Sequence, residues 1–258
     1  MDSHKTSHEP ALNRLVTTRR AAIFAGGATA AALLAACGNS GSKGGGQASD
    51  SGDADAAPAL PSPTQSAAVS VPFDESRPYL EFNPDSKGPA VELLVDYRCP
   101  HCKLFAEAQD KDIRELVEKG YINYRVYPRP MLDKVTGLNF SNDTASAVVA
   151  SWAEDPKLFW GMNDAMFALQ PESPEDPTPD TAEVAEAAVK AGASEEVKNA
   201  VLDEKYRDYV ATIEEVGQER QVGTPTVYID GEEWMGDGEK PGTLKADLVK
   251  AIIAKAKK

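Results

Sequence analysis

Two cysteines stand three apart in Cys99-Pro100-His101-Cys102. At the start of a helix this spacing puts both side chains on one face, with Cα atoms about 5–6 Å apart, a separation a disulfide tolerates. Such a pair can open and close with little backbone movement. Pro100 suits the first helical position, where its missing N–H would be unpaired anyway, so Cys99 falls at the helix N-terminus. Unsatisfied N–H groups and the positive end of the helix dipole there favour thiolate over thiol. Arg98, His101 and Lys103 add positive charge nearby, while Asp96 and Glu107 oppose it from farther away. A zinc half-site and an inert structural bridge are the other readings of two cysteines so spaced. Zinc lacks ligands, because the chain's remaining cysteine and histidines are Cys37, His4, His8 and the His101 wedged inside the motif. A bridge closing so small a loop constrains the unfolded chain little. Redox work is the reading that remains, and it needs no metal and no cofactor beyond the cysteine pair.

The flanking sequence supplies the elements to position such a site. Residues 90–97, AVELLVDY, form an apolar run of strand length with Gly88-Pro89 before it, and read as a buried central strand. A helix is expected from Pro100 to Lys119, with apolar residues at Leu104, Phe105, Ala108, Ile113, Leu116 and Val117 and a stop at Gly120. Residues 121–127 alternate as a second strand closed by Pro128 and Pro130, so the unit is βαβ with parallel pairing. Between about residues 139 and 217 the pattern is helical, over 144–153, 157–169, 181–191 and 195–216, broken by an acidic loop with Pro171, Pro174, Pro177 and Pro179. Phe159, Trp160, Met162, Met166 and Phe167 fall at near-helical spacing and read as a core stripe, with a peptide-contacting surface as the alternative. Residues 226–230, TVYID, are a further strand, followed by an Asp230-Gly231 turn and a final helix over about 242–256. The class is α/β, with helices interrupting the sheet.

The first seventy residues differ in kind. Lys5, Arg14, Arg19 and Arg20 precede sixteen uncharged residues, 21–36, too few and too weakly apolar to span a membrane comfortably. The stretch ends in Leu34-Ala35-Ala36-Cys37, which resembles a bacterial lipobox. That makes residues 1–36 a lipoprotein-type signal peptide and Cys37 the lipid-bearing first residue of the mature chain. Thr18-Arg19-Arg20 resembles in part a twin-arginine export signal, although Ala21 and Ala22 depart from it. Residues 37–70 hold almost no large apolar side chain and are expected to be a disordered Gly/Ser/Ala/Pro linker. The folded part is then 71–258, enough for one core. With 41 acidic against 27 basic side chains the net charge is −14, which excludes general binding of nucleic acid.

Cys99-Pro100-His101-Cys102 after a strand, with Val222-Gly223-Thr224-Pro225-Thr226 leading into a later strand, resembles the DsbA family of exported thiol:disulfide oxidoreductases. The resemblance covers about residues 89–258 and implies a thioredoxin-like fold with an inserted all-helical subdomain. It implies that Cys99 is the exposed nucleophile, that Cys102 resolves, and that Pro100 and His101 tune the pair. Thr224 would face the site through a cis bond to Pro225 and pair its backbone with an extended client segment. The implied partners are exported proteins with unpaired cysteines and a membrane reoxidase of the DsbB or VKOR type. The implied place is the outer face of the bacterial cell membrane. No dimerisation segment is visible before the first strand, so a monomer is expected. One position departs from the family: the buried acid often found six residues before the nucleophile is Leu93, with Glu92 and Asp96 on the wrong strand parity to replace it. Two other functions stay open, a reductase or isomerase of the same fold and a lipid-anchored peptide-binding module whose disulfide is not catalytic.

Overall fold

The computed structural model describes residues 68–173, 175–236 and 248–256. The expected signal segment, Cys37, most of the expected linker and the start of the last expected helix lie outside the described residues. Among the described residues no helix is long and apolar enough to cross a membrane.

Five strands form one mixed sheet in the order β1-β3-β2-β4-β5. Its centre is β2 (Ala90–Val95), buried almost throughout as its run of Val and Leu demands. The strand β3 (Asn123–Pro128) lies parallel to it, with Leu93 opposite Val126, while β1 (Leu80–Phe82) closes one edge antiparallel to β3. On the other side β4 (Thr226–Ile229) runs antiparallel to β2, and the two-residue β5 (Glu232–Glu233) pairs with β4. Joining β2 to β3 is α1 (Pro100–Glu118), the expected crossover helix, which buries Cys102, Phe105, Ile113, Leu116 and Val117. Its stop is the anticipated one: Gly120 follows the cap with φ of 69°, a left-handed conformation that glycine adopts without a Cβ penalty.

Beyond β3 comes the helical part, with α2 (Asp133–Thr136), α3 (Phe140–Glu154), a 3-10 turn (Pro156–Leu158), α4 (Phe159–Ala168), α5 (Thr181–Lys190), α6 (Glu195–Leu202) and α7 (Arg207–Glu219). At its middle is α3, buried continuously from Phe140 to Trp152, which its small Ala and Ser residues permit. The stripe on α4 is core as expected, with Phe159, Met162, Met166 and Phe167 buried, and Arg114 stacks on Trp160. One expected helix, 195–216, is two. Glu204 adopts φ of 54° and donates its N–H to Val201 O, while Lys205 N–H returns to Ala200 O, closing α6 in a left-handed turn that no glycine or proline announces. The last helix, α8, is described over Leu248–Ala256.

Sheet pairing starts inside the expected linker. Ser70 bridges to Phe82, and Val69 exchanges hydrogen bonds with Asn83. Asn83, fully buried at φ of 52°, also donates its side-chain amide to Val117 O at 2.8 Å and Ile122 O at 3.1 Å. It thus fastens the entering chain to the C-terminal end of α1.

Candidate active site

Cys99 is the residue just before α1, in extended backbone, and Pro100 takes the first helical position. The carbonyl of Cys99 accepts from the N–H groups of Cys102 at 3.0 Å and Lys103 at 3.2 Å, so the first turn is closed on the motif itself. Both cysteines are free thiols. Cys102 is fully buried; Cys99 keeps only 6% of its surface, so the sulfur expected to be exposed is largely covered. The cover is the segment opposite, where the Cys99 Sγ lies 3.4 Å from the Thr224 carbonyl, its hydrogen-bond acceptor. The Thr224–Pro225 peptide is cis, in keeping with the resemblance. Thr224 also buries its hydroxyl beside the two sulfurs, with no well-aligned hydrogen bond.

The two sulfurs titrate in opposite directions. Hydrogen bonding from the Cys102 thiol, and then from the Cys102 main-chain N–H, the Thr224 side chain and the His101 N–H, brings Cys99 down to about 6 against the opposing effect of burial. Cys102 is pushed up by its own burial first and by its coupling to Cys99 second. The helix N-terminus therefore acts on Cys99 as expected, whereas the nearby cations act little. Arg98 reaches instead to Thr178 Oγ1 at 3.0 Å, and with Gln170 Nε2 on Tyr97 O at 2.8 Å it ties the proline-rich loop to the strand end beside Cys99. The His101 side chain is exposed.

Leu93 is buried in the sheet and offers no proton. Asp96 is buried beside the motif, but its carboxylate faces Arg98 N–H and Leu132 N–H and only its main chain meets a sulfur. Since β2 ends at Val95, Asp96 lies in the loop beyond it, fully buried, with its main-chain N–H 3.5 Å from Cys102 Sγ. Its carboxylate accepts from Arg98 N–H and Leu132 N–H, each at 2.8 Å, and burial pushes it up to about 6 despite these bonds. A second buried acid, Asp110, lies two turns along α1. It accepts from Asn163 Nδ2 at 2.8 Å while Tyr97 O–H donates to Asn163 Oδ1 at 3.1 Å, and burial raises it to about 7. Its burial has no mark in the sequence, where Asp110 reads as one more charge on an amphipathic helix. Arg129 is equally unmarked, yet it lies fully inside the protein behind the Thr224 segment.

Among the described residues no three His, Cys, Asp or Glu side chains gather as a metal ion would require. The chemistry available here is that of a low-pKa sulfur beside a buried, high-pKa one, next to the backbone carbonyl of Thr224.

A family described as thioredoxin matches residues 85–250. The disulfide bond formation protein D of Bacillus subtilis (strain 168) is 26% identical over 137 residues, a stretch that is 52% of this chain and 60% of that protein. Two solved structures share the fold. One is BdbD from Bacillus subtilis in oxidised form, with a TM-score of 0.58 at 21% identity, over 75% of this chain and 100% of that one. The other is MdbA, a thiol-disulfide oxidoreductase from Corynebacterium matruchotii, with a TM-score of 0.57 at 22% identity, over 68% of this chain and 90% of that one.

Proposed function

The chain belongs to the thioredoxin family and has the fold of its DsbA-like members, and from that premise we propose that it is an extracytoplasmic protein disulfide oxidoreductase. In this reading it donates the Cys99–Cys102 disulfide to exported proteins. A client thiolate attacks Cys99 Sγ, forming a client–Cys99 disulfide and breaking the Cys99–Cys102 bond. The electron pair leaves on Cys102, which takes up a proton, as its raised pKa favours. The Asp96 N–H faces that leaving sulfur. A second client thiolate then attacks the client sulfur of the mixed disulfide and expels Cys99 as thiolate. The client has lost two electrons and two protons, one proton going to Cys102 and the other to solvent; the protein ends with Cys102 protonated and Cys99 ionised.

The observation that carries this reading is the contrast between the two sulfurs. A thiolate with a value of about 6 leaves readily, so reduction of the pair is favourable and the direction is client oxidation. The groups that stabilise it are first the Cys102 thiol, then the Cys102 main-chain N–H, the Thr224 side chain and the His101 N–H. The reductase or isomerase alternative differs in reduction potential, which the glutathione equilibrium below decides. Thr224 and Pro225 would present the backbone against which a client segment lies, and no cofactor is required because the sulfurs carry the electrons. The lipobox-like segment supports a lipid anchor on Cys37 at the outer face of the membrane, where a membrane reoxidase would restore the disulfide of a monomeric protein.

Replacing Cys102 by Ser tests the reading. The variant should accumulate mixed disulfides between Cys99 and exported proteins, separable on non-reducing gels. The wild-type pair should be reduced by low ratios of reduced to oxidised glutathione. A pair that remains oxidised at high reduced glutathione, with nothing trapped on Cys99, would exclude an oxidase.

A further inference from the structure

The segment 222–225 has no regular secondary structure of its own, yet it holds Thr224 against Cys99. What fixes it comes from the far side of the sheet. Arg129 follows β3 directly and donates its N–H to Val95 O at 2.7 Å, adding one step to the β2/β3 pairing. Its side chain is 2% exposed and passes under α7. There Nη1 donates to the carbonyls of Val222 at 2.8 Å and Gly223 at 3.3 Å, while Nε donates to Glu214 Oε2 at 2.9 Å. The second Glu214 oxygen accepts from Gln218 Nε2 at 3.1 Å and lies 3.6 Å from Lys134 Nζ. Gly217 makes the passage possible, because a Cβ at that position would stand 1.8 Å from Arg129 Cζ.

We infer that Arg129, paired with Glu214 and admitted by Gly217, is a positioning residue that sets the Thr224 backbone against Cys99 and thereby sets how tightly an extended client segment is held during exchange. This rests on the oxidoreductase reading above. Only a planar guanidinium can meet a carboxylate with one edge and two successive carbonyls with another; a lysine ammonium lacks the fork. The role is geometric. Glu214 compensates the cation, and the main donors to the Cys99 sulfur are on α1, in the Cys102 thiol and the first-turn N–H groups.

The test is oxidation of a two-cysteine peptide by the full chain, as wild type, Arg129→Lys and Gly217→Ala. Arg129→Lys keeps the buried charge but not the carbonyl bonds, and Gly217→Ala displaces an intact guanidinium. With one or two hydrogen bonds lost from the loop, the peptide concentration for half-maximal rate should rise about tenfold while the limiting rate stays within about twofold. The pH of half-maximal Cys99 alkylation should move only slightly, because the Cys102 thiol on α1 is the largest influence on that sulfur and the Thr224 side chain a smaller one. Should one variant fail to fold, the other carries the comparison. A lowered melting temperature with unchanged half-saturation in the folded variants would make Arg129 merely structural and overturn the inference. So would a strongly displaced alkylation midpoint with unchanged half-saturation, which would make its effect electrostatic. Failure of the wild type to oxidise the peptide at all would instead remove the oxidoreductase reading, and this inference with it.

Discussion

Two segments meet at Cys99, and they are held there by different means. The first turn of α1 is assembled within five residues, Pro100 supplying the helical φ and the Cys99 carbonyl receiving the N–H groups of Cys102 and Lys103. The segment 222–225 is fixed by Arg129, which lies 93 residues before the first carbonyl it holds and 94 before the second. The local half determines what the sulfur is, a stabilised thiolate. The long-range half determines what the sulfur faces. Reactivity and client placement are therefore separable by substitution.

The largest effect belongs to the long-range half. Glu214→Leu would leave Arg129 buried without its partner, and breaking a buried pair costs about 3–5 kcal/mol. Denaturant unfolding of the reduced protein should show that loss, while Cys99 alkylation in the folded fraction nearly keeps its pH midpoint. Adding Arg129→Met should recover most of the stability without recovering peptide affinity. Recovery of both would dissolve the distinction between the halves.

The next effect is on pH dependence and belongs to the motif side. Asp96 and Asp110 have folded values raised from 3.8 to about 6 and about 7, so the stability tied to their neutral forms is present below about pH 4 and is lost as pH rises to about 7. Cys99 runs the other way. Its value falls from 9.0 to about 6, so the reduced protein gains stability as pH climbs through that interval. Denaturation midpoints of the reduced protein should dip near neutrality and recover towards pH 9. Asp96→Asn should shallow the descent between about pH 4 and 6, and an unaltered descent would deny Asp96 its part in it.

The smallest effect is expected at the point of contact. The Thr224 hydroxyl is buried beside the two sulfurs with no well-aligned hydrogen bond, so Thr224→Val should change stability by less than about 0.5 kcal/mol, measured by thermal unfolding, and raise the Cys99 alkylation midpoint only slightly. Peptide half-saturation should hardly change, since the backbone of Thr224 is what meets Cys99. A large change would mean that the side chain, more than the loop's placement, governs the client.

The same division explains what is legible in the sequence. The Cys99 region is legible because the helix turn that shapes it, and the largest influence on its sulfur, fall inside the motif, and β2, α1 and β3 are legible because each is a long apolar or periodic run. Thr224 and Pro225 are reached only through resemblance to a known family, since an X-Pro pair before a strand has no local mark of facing a cysteine. Arg129, Glu214 and Gly217 leave no such mark either. An arginine after a strand, a glutamate on a helix and a glycine one turn later acquire meaning only once the sheet and α7 are packed together. The place of Asp96 in a loop is hidden because the apolar run extends two residues past the true end of β2. The break at Glu204 is silent because a left-handed glutamate has no sequence signature. β1 is three residues long, too short for any alternation to be counted.

Asn83 sets where the chain before β1 joins the folded unit. It fastens the entering chain at Val69 to the Val117 carbonyl at the last turn of α1, whereas Cys99 opens the first turn. The helix has 19 residues, and at 1.5 Å each it is about 28 Å long. A pull on the preceding chain is thus received at the opposite end of the helix from the sulfur, and the reactive turn bears none of that strain directly.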